Sequence, residues 1–377
     1  MKNSTTHTNS FHLILQTNSP GELASWVSPI AKYSKATHKS IFITLCLAPC
    51  QYASGYEYEA AKSISEIDEV FKPNETIKIC FGLKKFSKKA NTGAILCLGG
   101  DPLYTQLLKF KTKYSANIYT EHKKKPGLFF DNIFFKHEIG DLMQARVQNY
   151  LSTPQNIYKK YNLEKKDYIL FFPGSRPKHF EVFSEMCLKI ATLLIQNNPS
   201  IDVIMPLATT IPKDQIKLFK NKITSPRINI LTGDSLDFMS ISKLMISLPG
   251  TNTAEALYMH LPMITLVPFN RLDLLDVDGL LGLLLKFPYL GGLLKKLIFP
   301  RLIKKIKFIS LPNIITKSLI VPEIRDFIKT EKTTKLIINL LANQKRLNEI
   351  KTNLKNVKHT IDVEKKILDK IIYYVSI

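Results

Sequence analysis

The chain has 377 residues, 45% of them hydrophobic and 22% charged, so it can build sizeable hydrophobic cores and is not a disordered protein. Lysine and arginine outnumber aspartate and glutamate by 53 to 31, which gives a net charge of +22. This charge favours an acidic partner, which could be nucleic acid, an anionic membrane surface or a phosphorylated small molecule, unless it reflects a general bias toward lysine. The sequence has no basic stripe interleaved with aromatic residues, which argues against a nucleic-acid-binding protein.

The first part of the chain alternates short apolar runs with amphipathic stretches, a pattern typical of strands and helices. Strands are predicted at residues 13–16, 41–47, 77–81, 94–98, 116–119 and 133–135. A polar helix and linker follow at 141–166, and we place a domain boundary near Pro154. The polar start of the chain carries no signal-peptide core and the five cysteines are dispersed, which together predict a cytoplasmic protein.

A second series of strands is predicted at residues 168–172, 202–206, 228–231, 244–248 and 263–267, with helices at 181–196 and 235–241. Continuous apolar strands separated by helices indicate parallel sheets covered on both faces. The predicted fold class is therefore α/β, with two Rossmann-like, doubly wound domains at 1–153 and 154–325 that face a cleft. Helices at 326–377 are expected to pack across or back onto the first domain. Ligands of such sheets bind beyond the carboxyl ends of the strands.

Two loops of the second domain share one pattern, in which a strand runs into a glycine turn and a helix begins directly after it. Glycine permits close backbone approach, and the start of a helix offers free N–H groups to a phosphate. The candidate residues for binding a diphosphate and a ribose are Gly174, Ser175, Arg176, Gly250, Thr251, Thr253 and Glu255. The alternative is that both loops are ordinary capped helix starts.

These loops resemble segments of the bacterial lipid-A-disaccharide synthases. FFPGSRPKHFE at 171–181 resembles the family's LPGSR-x-x-E loop, and ISLPGTNTAEALYMHLPM at 246–263 and FISLPN at 308–313 resemble two further segments in the same order and spacing. The resemblance implies a GT-B fold and an inverting transfer of a sugar from a UDP-sugar to a lipid-linked acceptor, without a metal or another cofactor. It implies that the two loops hold the diphosphate, that Glu255 lies toward the ribose, and that Asn270 and Arg271 lie near the donor. Pro249 departs from the family's usual serine and removes one N–H group.

The N-terminal half resembles the family more loosely. Gly21, Glu22 and Ser25 follow the first strand in the order of the family's Gly-Glu-x-Ser-Gly-Asp loop, and the resemblance implies that they bind the acceptor. Asp101 follows the strand predicted at 94–98, where a carboxylate could accept the proton of the attacking hydroxyl group. The alternatives are that Glu22 is a first-turn helix charge and that Asp101 caps the next helix.

Residues 279–307 form a basic and apolar insertion with seven Lys or Arg and no acid. Prolines and glycines interrupt it, so one transmembrane helix is not predicted. Short cationic amphipathic pieces of this kind lie in the bilayer interface, with their lysines among anionic headgroups. The predicted membrane contacts are Leu284, Phe287, Lys295, Lys296, Lys304 and Lys305. The alternative is a helical hairpin packed on the core or in the interface of a homodimer.

The family resemblance, together with the basic insertion, implies a peripheral glycosyltransferase at the cytoplasmic face of the inner membrane. Its expected partners are a UDP-sugar, a lipid-linked acceptor and the anionic membrane surface. A UDP-sugar epimerase on the same fold and a non-catalytic protein that binds the membrane surface are the alternatives. Acylated glucosamine is one candidate for the transferred sugar, and the residues do not specify it.

Overall fold

The computed structural model describes residues 11–50, 55–87, 90–122, 125–269, 306–358 and 360–376. The chain divides into two compact units: unit 1 comprises Met1–Asn149 and His359–Ile377, and unit 2 comprises Tyr150–Lys358. The division falls four residues before Pro154. The segment 326–377 is itself divided, because its first two helices belong to unit 2 and its last helix belongs to unit 1.

Unit 1 is built on a six-stranded sheet in which all neighbouring strands are parallel. The strands are β1 (Phe11–Thr17), β2 (Phe42–Leu47), β3 (Glu69–Phe71), β4 (Thr92–Cys97), β5 (Ser115–Thr120) and β6 (Asn132–Phe135), in the order β3-β2-β1-β4-β5-β6. The helices are α1 (Pro20–Glu22), α2 (Ser28–Thr37), α3 (Glu57–Lys62), α4 (Pro73–Cys80), α5 (Leu103–Thr112), α6 (Lys136–Ile139), α7 (Leu142–Gln148) and, at the other end of the chain, α16 (Val363–Ser376). A π-helical segment, Leu23–Val27, joins α1 to α2.

Unit 2 has a second six-stranded parallel sheet. Its strands are β7 (Asp167–Phe172), β8 (Ile201–Pro206), β9 (Ile228–Leu231), β10 (Ser242–Ser247), β11 (Met263–Pro268) and β12 (Glu323–Asp326), in the order β12-β11-β10-β7-β8-β9. Its helices in the described residues are α8 (Pro154–Tyr161), α9 (Pro177–Asn197), α10 (Lys213–Lys220), α11 (Ser235–Ser240), α12 (Thr251–Tyr258), α13 (Leu311–Thr316), α14 (Thr330–Ala342) and α15 (Gln344–Lys355).

In each sheet the strand order reverses once: successive strands are added on one side of the first strand and later strands on its other side. This reversal positions the candidate loops. In unit 1 the chain builds β1, β2 and β3 outward and then returns to place β4 on the other side of β1. In unit 2 it builds β7, β8 and β9 and then places β10 beside β7. The loops that follow β1 and β4, and those that follow β7 and β10, therefore diverge from neighbouring strands. Such switch points leave a crevice at the carboxyl edge of a sheet, where ligands bind.

The core of unit 1 is completed by the last helix of the chain. Ile367, Leu368 and Ile371 of α16 are fully buried in the same apolar cluster as Leu13 and Ile43 of the central strands. Full burial of one such side chain contributes about 1.5–3 kcal/mol, so α16 is a structural part of unit 1.

One predicted strand is wrong, and two short strands were not predicted. Residues 77–81, read as a strand, lie mostly in α4, which begins at Pro73 and has the Glu75 carboxylate accepting a hydrogen bond from Lys72 N–H at 2.9 Å. A proline at the first helical position and a glutamate that caps the first turn favour a helix more strongly than a short apolar run favours a strand. The short β3 and β12 contain charged residues and lack the apolar signal of the other strands. No helix in the described ranges combines the length and apolar composition that crossing a membrane requires.

Candidate functional site

The two glycine turns of unit 2 follow neighbouring strands. Gly174 follows β7 and Gly250 follows β10, and the last paired residues of these strands are Phe172 and Ser247. Gly174 has a φ of +109°, a left-handed conformation that favours glycine. A Cβ added at Gly250 would meet no atom within 4 Å, so the second turn borders open space. The structure thus brings both turns to the switch point of the unit 2 sheet.

The first turn leads into the long helix α9. Ser175 is exposed, and Arg176 occupies the N-cap position of α9, directly before Pro177. The backbone carbonyl of Ser175 accepts a hydrogen bond from the hydroxyl group of Thr210, a buried residue that follows β8. Thr210 therefore holds the backbone of the turn, and Ser175 itself remains exposed.

The second turn leads into α12, and its two threonines have different environments. Thr251 is exposed at the first position of the helix. Thr253 is buried, and its hydroxyl group donates to the Gly250 carbonyl at 2.7 Å. Thr251 is therefore accessible to solvent, while Thr253 stabilises the turn.

Glu255 is a buried carboxylate in the first turns of α12, with 3% of its surface exposed. Its Oε2 accepts a hydrogen bond at 2.7 Å from the hydroxyl group of Ser235, the first residue of α11. Asp234 caps α11 by accepting from Leu236 N–H at 2.9 Å. The start of α11 thus orients the carboxylate, and this contact was not predicted from the sequence.

The remaining predicted donor residues, Asn270 and Arg271, lie outside the described residues. The same is true of the predicted membrane contacts Leu284, Phe287, Lys295, Lys296, Lys304 and Lys305. In the described part of the chain, no group of three or more His, Cys, Asp or Glu side chains is arranged to hold a metal ion.

The FISLPN segment is held by a buried carboxylate on β12. Glu323 Oε1 accepts hydrogen bonds from Ile309 N–H (3.0 Å), Ser310 N–H (2.8 Å) and the Asn313 amide (2.8 Å). Its Oε2 accepts from Arg325 Nε at 2.8 Å. Burial alone would raise the pKa of Glu323, but the two backbone N–H groups, followed by Arg325 and Asn313, hold it below its usual value. Helix α13, which contains Asn313, packs against α12, so this carboxylate supports the wall behind the second turn.

Replacing Glu323 with glutamine is expected to lower the free energy of unfolding by about 2–3 kcal/mol, because several buried donors lose a charged acceptor. The folded-state pKa lies below the ordinary value of 4.5, so the contribution is complete above that value and is lost as the pH falls through the folded-state pKa. Denaturant unfolding across this pH range measures both effects. The exposed Glu349→Gln in the same unit is the control, and equal losses in the two variants would contradict this role.

In unit 1, a buried glutamine ties the loop after β4 to β1. The Gln16 amide donates to the Gly99 carbonyl at 3.1 Å and to the Asp101 carbonyl at 3.0 Å. Its Oε1 accepts from the Thr105 hydroxyl group at 2.6 Å. Gln16 was not predicted as a functional residue, although a lone amide in the apolar run that forms β1 is a signal that could have revealed it. It fixes the backbone of the loop that carries Asp101.

Glu22 lies at the switch point of unit 1, between the ends of β1 and β4. Its Oε2 accepts from the Thr17 hydroxyl group at 2.6 Å and from Asn18 N–H at 3.2 Å. A Cβ added at Gly99 would overlap the Glu22 carboxylate, so the absence of a side chain at Gly99 makes room for it. Burial raises the pKa of Glu22 above its usual range, although the bonds from Thr17 and Asn18 act in the opposite direction. A desolvated carboxylate with a raised pKa at such a position is suited to proton transfer.

The other predicted residues of unit 1 have different environments. The Asp101 side chain is exposed, and its Oδ1 accepts from Leu103 N–H at 2.9 Å at the start of α5. Gly21 lies within α1 and is half-buried. Ser25 is buried in the π-helical segment, and its hydroxyl group has no hydrogen-bond partner in the described residues. The structure thus brings Glu22 together with the loop of Asp101, while Ser25 points into the protein.

Comparison with known proteins identifies a family that this chain matches. The family model of lipid-A-disaccharide synthetase matches residues 131–375. Lipid-A-disaccharide synthase 2 of Legionella pneumophila (strain Lens) is 25% identical over 221 residues, which cover 57% of this chain and 50% of the relative. The lipid-A-disaccharide synthase of Haemophilus ducreyi is 28% identical over 207 residues, which cover 53% of this chain and 47% of the relative. The chain thus matches about half the length of these curated relatives.

Solved structures match the fold over nearly the whole chain. The UDP-GlcNAc 2-epimerase of Methanocaldococcus jannaschii in complex with UDP-GlcNAc and UDP is 14% identical, with a TM-score of 0.54 over 96% of this chain and 99% of that structure. The UDP-GlcNAc 2-epimerase of Neisseria meningitidis bound to UDP-GlcNAc is 11% identical, with a TM-score of 0.53 over 96% and 100%. At this identity the likeness concerns the fold, and the predicted GT-B class with two Rossmann-like domains is confirmed. Because the family model covers well over half of the residues, the chain belongs to the lipid-A-disaccharide synthetase family.

Proposed function

We propose that this protein is an inverting glycosyltransferase that moves a sugar from a UDP-sugar to a lipid-linked acceptor. The observation that carries the proposal is the pairing of two glycine turns, at Gly174 and Gly250, on neighbouring strands at the switch point of unit 2. Each turn leads into a helix, and free N–H groups at helix starts bind phosphate. Membership in the lipid-A-disaccharide synthetase family supports the same reaction class.

On the donor side, Ser175 and Thr251 offer exposed hydroxyl groups at the two turns. Arg176 supplies a guanidinium that suits a diphosphate, and its positive charge stabilises the negative charge that develops on the departing UDP. Glu255, oriented by Ser235, accepts hydrogen bonds from the ribose hydroxyl groups. Asn270 and Arg271 directly follow Phe269, where the described range 125–269 ends. They remain proposed donor contacts.

On the acceptor side, a hydroxyl oxygen attacks the anomeric carbon of the sugar while the bond from that carbon to the diphosphate oxygen breaks. The electron pair of that bond leaves with UDP, and the hydroxyl proton passes to a carboxylate. We assign this carboxylate to Glu22 in preference to Asp101, because Glu22 is desolvated at the switch point whereas Asp101 caps α5. Gly21, which precedes Glu22 in α1, and Ser25, in the π-helical segment that follows, remain proposed acceptor-side residues. The reaction needs no metal, so turnover should persist in a chelator.

An epimerase is the second candidate, because two UDP-GlcNAc 2-epimerases share the fold. The family match favours the transferase, since it covers residues 131–375 of this chain. A third candidate is a non-catalytic protein that binds the membrane surface. Incubation with UDP-sugars and extracted native lipids separates the three: the transferase gives a glycosylated lipid and free UDP, an epimerase gives an isomerised UDP-sugar, and a binding protein gives neither. Absence of both turnover and calorimetric UDP binding would refute the proposal.

The basic insertion at 279–307 is proposed to hold the protein on the cytoplasmic face of an anionic membrane. Replacing Lys295, Lys296, Lys304 and Lys305 with glutamate should release the protein from anionic vesicles, since each basic residue near the surface contributes about 1 kcal/mol of attraction. Co-sedimentation with vesicles measures this. A matched change of four exposed lysines of unit 2, Lys213, Lys217, Lys220 and Lys222, is the control. If the protein still binds vesicles after the four lysines of the insertion are replaced, the packed hairpin or the homodimer interface is favoured instead.

A further inference from the structure

A cluster of polar side chains in unit 2 surrounds one buried carboxylate, Asp237 of helix α11, whose side chain is 3% exposed. Its Oδ1 accepts a hydrogen bond at 2.8 Å from the hydroxyl group of Tyr150. Its Oδ2 accepts one at 2.8 Å from Lys160 Nζ and another at 2.8 Å from the hydroxyl group of Tyr161. All four residues belong to unit 2, and none of them lies in either glycine turn. The cluster is therefore additional to the residues assigned to the nucleotide so far.

The Asp237 carboxylate is charged and held in one direction. Burial alone would raise its pKa, but the hydrogen bonds from Lys160, Tyr161 and Tyr150 hold the pKa below its usual value. Burying a charge is costly, and well-packed apolar side chains of similar volume often stabilise a fold as well as a buried ion pair does. Three hydrogen-bond donors that converge on one carboxylate do, however, fix its direction. The cluster is therefore better suited to fix the orientation of α11 than to add stability.

The hydrogen-bond donors of the cluster come from the segment with which the chain enters unit 2. Tyr150 is the first residue of that unit, and Lys160 and Tyr161 are the last two residues of α8. A Cβ added at Gly233 would lie 2.1 Å from the Tyr161 hydroxyl oxygen, so the absence of a side chain there lets the phenol pack against the backbone just before α11. The centroids of the Tyr161 and Phe238 rings are 4.7 Å apart, and Phe238 is fully buried. The end of α8 thus contacts α11 both before its first residue and along its buried side.

Helix α11 connects this cluster to Glu255. Its first residue, Ser235, donates a hydrogen bond from its hydroxyl group to Glu255 Oε2 at 2.7 Å. Ser235 and Asp237 are two positions apart, so their side chains leave the helix in directions about 200° apart. One side of α11 is therefore fixed by the Asp237 cluster, while the other side presents the hydroxyl group that orients Glu255. Because α11 has only six residues, a rotation or shift that relaxes the Asp237 side also displaces Ser235.

We propose that Asp237 is a positioning residue for nucleotide recognition: through α11 and Ser235 it orients the Glu255 carboxylate, and it thereby sets the preference for a ribose over a deoxyribose. The inference rests on the proposed function, in which Glu255 accepts hydrogen bonds from the ribose hydroxyl groups. A hydrogen bond weakens steeply when its distance or angle departs from the optimum. A displaced Glu255 therefore loses its preference for the 2′-hydroxyl group, while the contacts to the diphosphate are retained.

Calorimetric titration of the full chain with UDP and with 2′-deoxy-UDP tests the proposal. The wild type should prefer UDP by about 10- to 100-fold, the range expected for one hydrogen bond to a charged acceptor. Asp237→Asn keeps the size of the side chain but turns an N–H2 group toward hydrogen-bond donors. This variant should lower the preference by about three- to tenfold and leave the affinity for 2′-deoxy-UDP within about twofold of the wild type. An unchanged preference, or equal losses of affinity for the two nucleotides, would refute the positioning role, since a general loss of structure weakens both equally.

A double-mutant cycle tests the route through Ser235. Ser235→Ala alone should lower the preference for UDP, because Glu255 loses the hydroxyl group that orients it. In the Ser235→Ala background, Asp237→Asn should lower the preference no further, since the connection is already broken. Fully additive losses would refute this route.

Two further variants complete the test. Tyr150→Phe keeps the carboxylate and removes one hydrogen-bond donor, so it should lower the preference in the same direction but less, and it decides the question if Asp237→Asn does not fold. Asp214→Asn, the same change at an exposed carboxylate of α10 in unit 2, should have no effect. Absence of UDP binding by the wild type would remove the proposed function and this role with it. UDP binding with a preference that neither Asp237→Asn nor Tyr150→Phe changes would remove the positioning role alone.

Discussion

Replacing Glu22 with glutamine is expected to lower kcat by about 10²- to 10⁴-fold while the calorimetric affinity for UDP stays unchanged. The variant keeps the size of the side chain but cannot accept the proton of the attacking hydroxyl group. Asp101→Asn should have a much smaller effect, because an asparagine oxygen can still accept the hydrogen bond from Leu103 N–H that caps α5. Steady-state kinetics of the two variants decide whether Glu22 or Asp101 is the proton acceptor. Full activity of Glu22→Gln would show that another residue accepts the proton.

The pH dependence of turnover gives an independent readout of Glu22. A proton acceptor works in its deprotonated form, and burial raises the pKa of Glu22. We therefore expect kcat/KM to rise with pH across a range above the ordinary glutamate value and this rise to vanish in Glu22→Gln. Gly99→Ala is a second probe, because the added methyl group would displace the Glu22 carboxylate without removing it. Gly99→Ala should also lower kcat. The control Glu138→Gln should leave both kcat and the pH dependence of kcat/KM unchanged.

Replacing Arg176 with alanine is expected to weaken UDP binding roughly 10- to 100-fold, the loss that follows removal of a charge-assisted hydrogen-bonding pair. The effect should be largest for UDP, smaller for UMP and absent for uridine, because the guanidinium is assigned to the diphosphate. Arg176→Lys should recover only part of the affinity, since an ammonium lacks the planar fork of donors. Isothermal calorimetry measures all of these affinities.

The matched control for this prediction is Lys178→Ala, which removes an exposed positive charge from the first turn of the same helix. Its UDP affinity should remain close to that of the wild type. Equal losses in the two variants would show that the general positive field of the helix start, rather than Arg176, binds the nucleotide.

The two glycine turns of unit 2 could be predicted from the sequence because each turn is local. A buried strand, a glycine and a helix start follow one another within about ten residues, and their physical requirements are visible in the residue types. The supporting contacts could not be predicted in this way. Thr210 reaches Ser175, and Ser235 reaches Glu255, only because β8 and α11 are brought beside the loops by the sheet order. The sequence carries no local sign of such pairs.

The acceptor side was harder to predict for a related reason. Asp101 and Glu22 both follow strands; the position of Asp101 after a predicted strand suggested the proton acceptor, and the family resemblance suggested Glu22 as an acceptor ligand. In the structure Glu22 is half-buried and Asp101 is exposed, and the burial of Glu22 depends on Gly99 leaving room for its carboxylate across the switch point. The strand predicted at 77–81 failed because Ile77 to Cys80 form the second half of α4, which begins at Pro73.

The packing of α16 into unit 1 has a consequence for how the protein is made. During synthesis the residues of unit 1 emerge first, but the cluster around Leu13 and Ile43 lacks Ile367, Leu368 and Ile371 until the ribosome has passed them. Unit 2, which is continuous in the chain, can close its own core earlier. The unit that holds Glu22 therefore matures last, so a nascent chain completes the unit with the two glycine turns before the unit that holds Glu22.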